Sequence, residues 1–184
     1  MKNDTTTVFF LDPVHQTHNN ENSYCWQLAG KSSTKQVLSN SGRRRINIVG
    51  ALEAKTLKPT VIMTEYNCDT SVIAATLEEI RKQYPKSTHK KIVIFLDNAP
   101  YNRAYDTMGY AEKLDITLCY LPPYSPNLNL IERLWKFFKK KVIKNKYYET
   151  FEDIWNAIIR FFQHWDHYLP ELKSLLTPNF EIIS

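Results

Sequence analysis

The order of apolar and polar runs along the chain predicts a mixed β-sheet with crossover helices. Residues 5–11, TTTVFFL, form a β-prone apolar run that ends at Asp12-Pro13. Residues 46–52 set Ile46, Ile48 and Gly50 against Asn47 and Val49. After a turn at residues 55–58 the chain returns as a strand over residues 60–64, which predicts a hairpin. Asp69 or Thr70 caps a helix reaching Tyr84, with Val72, Ile73, Thr76, Leu77 and Ile80 on one face and Pro85 as its stop. Ile92 to Leu96 is an unbroken apolar run, predicting a strand buried on both faces. A weaker helix over residues 102–114 follows, then a strand over residues 116–121 that the double proline at 122–123 closes. Beyond it, Ile131, Trp135, Phe138 and Val142 share one helical stripe. A last helix opens at Thr150-x-x-Asp153 in the manner of a capping box and runs through Ile154, Ile158, Phe161, Phe162 and Trp165 until Pro170 breaks it. Three antiparallel strands followed by two parallel crossover units make a five-stranded α/β sheet with helices on both faces. The absence of internal repeats and low-complexity linkers predicts one domain over residues 1–184.

The candidate chemistry lies where these elements end. Two apolar strands are each closed by an aspartate, Asp12 and Asp97, and equivalent ends of parallel neighbours stand side by side. Adjacent strands lie about 4.8 Å apart, so both carboxylates can serve one point. Their mutual repulsion is about 4 kcal/mol at an effective dielectric near 20, and a divalent cation between them removes it. Glu132 is the third acid, at the edge of an apolar helical stripe, with 34 residues between it and Asp97. Taken alone, Glu132 reads as a surface residue paired with Lys136 at i,i+4. With two strand-end aspartates in place it reads as metal-facing. Asp12-x-x-His15-x-x-His18 offers a second metal pattern. Imidazole suits zinc, copper or iron rather than Mg²⁺, and a polar loop beside the site is the better reading.

Composition narrows the rest. Four glycines leave no Gly-rich phosphate loop, and three widely spaced cysteines argue against a disulfide framework. No signal-peptide core or membrane span is present, so the expected location is cytoplasmic. The net charge of +5 is mild, and its placement matters more than its size. Arg43, Arg44 and Arg45 stand where the hairpin opens, and Lys136, Lys139, Lys140 and Lys141 flank Glu132; both groups are candidate phosphate contacts. A solvated surface is the alternative reading of each run.

The ordered set FFLD, GRRRINIVGAL, IVIFLDNAP and LPPYSPNLNLIERLWKFFK resembles the DDE endonuclease domain of bacterial insertion-sequence transposases in the mariner superfamily. The resemblance extends from about Val8 to the helix around Trp155, and Trp26 with Gly30 is similar to the family's W-x-x-x-G turn. It implies an RNase H-like fold, with Asp12, Asp97 and Glu132 holding two Mg²⁺ or Mn²⁺ ions for DNA strand cleavage and transfer. It also implies a homodimer assembled on transposon ends and target DNA. The family normally places helix-turn-helix units ahead of the first acid, which here follows Met1 by only 11 residues. The expectation is that an upstream reading frame supplies them and that this chain alone binds DNA weakly and without sequence preference. Asn102 stands where similar proteins often carry a histidine, and Leu130 where a proline usually precedes the Ile-Glu pair. Two other readings remain beside this one: a fold-related nuclease acting on RNA–DNA hybrids or junctions, and an inactive remnant that only binds DNA.

Overall fold

The computed structural model describes residues 6–19, 21, 38–40, 42–123 and 128–176. The Trp26–Gly30 turn lies outside these residues. Strands β1 (Thr6–Thr17), β2 (Arg45–Glu53), β3 (Pro59–Thr64), β4 (Lys91–Leu96) and β5 (Ile116–Tyr120) form one sheet in the order β3-β2-β1-β4-β5. β1 pairs antiparallel with β2 and β2 with β3, whereas β1–β4 and β4–β5 are parallel. The crossover helices are α1 (Thr70–Gln83) and α2 (Tyr105–Lys113). On the chain's C-terminal side lie α3 (Leu130–Phe138), a π-helical turn (Lys139–Ile143), α4 (Phe151–Gln163) and α5 (Trp165–Leu175).

Strand alternation divides the core into two layers. Phe9, Leu11, Val49, Ala51, Ile92, Ile94 and Leu96 pack against Ile73, Leu77 and Ile80 of α1. Phe10, Ile46, Ile48 and Leu52 face the other way, into Ile131, Leu134, Trp135 and Phe138 of α3 and the aromatic side of α4. Burying one such side chain contributes about 1.5–3 kcal/mol, which is why both faces of β2 and β4 are apolar. Local signals set the helix starts. Asp69 Oδ1 accepts from the backbone of Ser71 at 2.9 Å and Val72 at 3.2 Å, and Thr150 with Asp153 forms the expected capping box. Arg81 ties the end of α1 to the start of β5 by donating to the carbonyls of Tyr84, His89, Leu114 and Asp115.

Three boundaries differ from expectation. β1 does not end at Asp12; it continues to Thr17, because β2 pairs with it from Phe9 to Thr17 after its pairing with β4 has stopped at Phe10. Pro13 is tolerated there because that part of β1 has a neighbour on one side only. α2 begins at Tyr105, since residues 99–103 form turns with Asn102 and Arg103 donating back to Ala99 O. The last helix breaks at His164, not Pro170. His164 leaves helical geometry (φ −97°, ψ 28°), and the buried Trp165 indole donates to Leu57 O at 3.0 Å. Pro170 then lies inside α5 on its exposed side, four residues after exposed Asp166, whose carbonyl lacks the bond that a non-proline residue would donate there.

Candidate active site

The same alternation places the two aspartates. Phe10 and Phe95 are register partners on β1 and β4, face the α3 layer and stack with ring centroids 5.5 Å apart. Asp12 and Asp97 are each two residues further along, so both continue on that face just past the last parallel pair. α3 crosses the same face, and Glu132 occupies its first turn beside buried Ile131 and Trp135.

The resulting field is strongest at Asp12. Its carboxyl is pushed up to about 7, first by burial, then by the charges of Asp97 and Glu132. Trp135 acts the other way. Its buried indole N–H lies toward the Asp12 carboxylate, outside hydrogen-bond geometry, and favours the ionised form. Glu132 is also raised, by burial first, with Lys136 pulling it down and Asp97 pushing it up. The field reaches two residues that the sequence pattern did not single out. The Cys68 thiol is pushed up to about 11 by burial, then by Asp69, Asp12 and Asp97. The Tyr101 phenol is raised by burial, then by Cys68, Asp97 and Asp12. Among the described residues, no three His, Cys, Asp or Glu side chains gather tightly enough to hold an ion outright. The three acids therefore meet through their fields, with Asp12 at the centre.

The loop after β4 is held firmly. Asp97 Oδ1 accepts from Ala99 N at 3.1 Å and from Asn102 Nδ2 at 2.7 Å, and Asn98 Nδ2 donates to Leu121 O. Tyr120 Oη donates to Asn102 O at 2.9 Å, and Thr107 Oγ1 to Tyr101 O at 2.7 Å. His15 and His18 do not join the acids. His15 is exposed and an odd number of residues from Asp12 along β1, hence on the other face, while His18 Nε2 lies 2.9 Å from Tyr148 O. The pattern Asp12-x-x-His15-x-x-His18 is thus no metal cluster.

Trp135 reaches Asp12 only because Gly50, the register partner of Asp12 on β2, has no side chain. A Cβ at Gly50 would lie 2.6 Å from Trp135 Cη2 and 3.2 Å from Ile131 Cδ1. Gly50→Ala is therefore expected to destabilise the fold by about 1–3 kcal/mol, the usual cost of overpacking. Urea unfolding measures this, and an unchanged midpoint would show that the indole does not need the space.

Residues 7–155 match the family described as DDE superfamily endonuclease. The chain belongs to that family. It is 29% identical over 119 residues to the uncharacterized protein y4pE/y4sA of Sinorhizobium fredii, covering 61% of this chain and 84% of that protein. It is 25% identical over 139 residues to the insertion element IS630 uncharacterized 39 kDa protein of Shigella sonnei, covering 75% of this chain but 39% of that protein. A solved pre-cleavage Mos1 transpososome shares its fold with a TM-score of 0.66 at 11% identity, over 96% of this chain and 57% of the other. The catalytic domain of Mos1 mariner transposase does so with a TM-score of 0.59 at 12% identity, over 91% and 78%. The sheet thus has the RNase H-like fold of the Mos1 catalytic domain, in a chain of the DDE endonuclease family. No helix among the described residues is long and apolar enough to cross a membrane.

For a DDE endonuclease, oxygen donors, burial and mutual repulsion at Asp12, Asp97 and Glu132 fit a hard divalent cation such as Mg²⁺ or Mn²⁺. Mos1 paired-end complexes have been solved with Mn and with Mg. The basic residues divide into two sets. Arg44 is committed within the fold: its guanidinium pairs with Glu65 at 2.8 Å and lies 3.7 Å from the Phe151 ring centroid. Arg45 donates to Asn67 Oδ1 at 2.6 Å, Lys139 pairs with Glu21 at 3.3 Å and Lys141 with Glu171 at 2.7 Å. Arg43, Lys136 and Lys140 are exposed and outside these pairs. Arg45 is five strand positions from Gly50, so the hairpin arginines stand about 17 Å along β2 from the level of Asp12.

Proposed function

We propose that this domain cleaves DNA strands and transfers their 3′ ends by in-line phosphoryl transfer, with Asp12, Asp97 and Glu132 drawing together around two Mg²⁺ or Mn²⁺ ions when these bind. The observation that carries this reading is geometric: Asp12 and Asp97 each follow by two residues the stacked register partners Phe10 and Phe95, on the sheet face that α3 crosses with Glu132 in its first turn, and the crowded charges push the Asp12 carboxyl up to about 7. Such an arrangement costs stability in the resting protein and is relieved by divalent cations, which when bound supply charge neutralisation at the attacking and leaving oxygens. In the reaction, the oxygen of water or of a DNA 3′-hydroxyl forms a bond to phosphorus. The opposite phosphorus–oxygen bond breaks, the attacking oxygen gives up its proton to solvent, and the leaving oxygen takes one up. The chain's own task is positioning. The bonded loop after β4 presents Asp97, the Trp135 indole favours ionised Asp12, and α3 brings Glu132 to the same face. Lys136 and Lys140 continue from Glu132 along α3 and the π-helical turn, and with Arg43 they serve as sequence-independent phosphate contacts. The reading includes a homodimer assembled on DNA, with sequence recognition supplied by a helix-turn-helix part on another segment or chain.

The test is strand cleavage of supercoiled plasmid and of linear duplexes carrying the element's ends. Nicked product is expected with Mg²⁺ or Mn²⁺, none with chelator, and cut 3′ ends should become joined to target DNA. Protein that binds these DNAs yet yields no nick with either ion would overturn the proposal. Nicking confined to RNA–DNA hybrids would move it to the hybrid-cutting nucleases.

A further inference from the structure

Asn102 is fully buried in the loop between β4 and α2. It is fixed from three directions: its N–H donates to Ala99 O at 3.0 Å, its carbonyl accepts from Tyr120 Oη at 2.9 Å, and its side-chain Nδ2 donates to Asp97 Oδ1 at 2.7 Å. Ala99 N donates to the same oxygen at 3.1 Å. Both side-chain hydrogen bonds to Asp97 thus end on Oδ1, and among the described residues Oδ2 takes none. Among the described residues the buried Asn102 side-chain oxygen has no partner, an arrangement that costs on the order of 1–3 kcal/mol. A buried amide is kept at that cost when its other end has work to do, and here the other end is aimed at a carboxylate of the candidate site.

We propose that Asn102 is a positioning residue for the metal site, holding Asp97 by Oδ1 so that Oδ2 is the oxygen presented to a divalent cation. The inference rests on the reading of Asp97 as a metal-binding residue. It assigns the ordering of that carboxylate to a side chain that never touches ion or DNA. Partners of this kind that orient a ligand typically change metal affinity by about 10–100-fold when removed.

The measurement is Mn²⁺ binding to the purified chain, followed by electron paramagnetic resonance of free Mn²⁺, with no DNA and no turnover. Asn102→Leu keeps the branched side-chain shape, at greater bulk, and removes the donor, and it is expected to weaken binding about tenfold or more. Asn102→His restores an N–H donor and is expected to bind within about threefold of the unaltered chain. Asp97→Asn is the reference. Asp97→Asn binding Mn²⁺ as tightly as the unaltered chain would overturn the metal reading itself. A folded Asn102→Leu that binds Mn²⁺ normally, while Asp97→Asn does not, would overturn this inference alone. A measurement on the unaltered chain covers the case in which the variants do not fold. The Asn102 side-chain amide resonances are expected to be slow to exchange with solvent and to shift when diamagnetic Mg²⁺ is added. Amide signals that ignore Mg²⁺ while neighbouring signals of the Asp97 loop respond would also overturn it.

Discussion

Asp12→Asn, Asp97→Asn and Glu132→Gln are each expected to lower metal-dependent strand cleavage by about 10³-fold while leaving the fold intact. That factor corresponds to about 4 kcal/mol of lost transition-state stabilisation, a reasonable share for one ligand of a bound ion that acts on the reacting oxygens. Each substitution removes one negative charge with almost no change of shape, so packing losses do not confuse the result. Glu132 is the most exacting of the three. It lies in the first turn of α3, where a carboxylate is also favoured by the helix N-terminus, and Lys136 lies one turn further along. A helix-surface glutamate would lose only a few tenths of a kcal/mol on conversion to glutamine. Initial nicking rates on plasmid at saturating Mn²⁺ separate the two roles. Full activity in Glu132→Gln would return this residue to the surface and leave Asp12 and Asp97 without their third partner.

Much of the fold was readable because its signals are periodic. The apolar runs at β1, β2 and β4, the turn before β3 and the Pro85 stop are local. The parallel pairing of β1 with β4 follows from crossover geometry. The three acids stood out because charged residues at the ends of apolar elements break a pattern. The features that were missed depend on neighbours distant in sequence. The continuation of β1 through Asp12-Pro13 requires β2 to supply hydrogen bonds as far as Thr17, which the residues around Pro13 do not announce. Trp135 fits an ordinary apolar stripe, and its second role exists only because Gly50 on another strand leaves room for the ring. Arg44 is one of three arginines in a row by sequence, and its pairing with Glu65 and its place over the Phe151 ring depend on residues far along the chain. Asn102 stood out in sequence only as an unusual residue at its position, and its bond to Asp97 is what gives that position a physical meaning.

Without a divalent ion, the protein is expected to be more stable at pH 5 than at pH 8, and Mn²⁺ is expected to reverse that order. The sign follows from Asp12, whose carboxyl rises from 3.8 to about 7 in the folded chain. Between these values the folded chain holds a proton that the unfolded chain has released, so stability falls as pH rises through this window and levels off above it. Three pKa units correspond to about 4 kcal/mol. The groups responsible sit on every side of Asp12: Asp97 after β4, Glu132 and the opposing Trp135 indole on α3. Asp69, Asp115 and Asp153 have lowered values and contribute in the opposite sense, but only as pH falls below their ordinary range near 3.8. They do not enter the window from 4 to 7 that Asp12 governs. Asp12→Asn removes the titration. It is expected to stabilise the metal-free chain at pH 8 and to bring its stabilities at pH 5 and pH 8 closer together, leaving the histidines and Glu132, raised in the same sense by burial and Asp97, which both proteins share. Guanidinium unfolding of both proteins at pH 5 and pH 8, with chelator and with Mn²⁺, isolates the contribution as a difference. A difference between the two proteins that does not change with pH would mean that Asp12 is ionised throughout, and that the field around it is already neutralised by the protein itself.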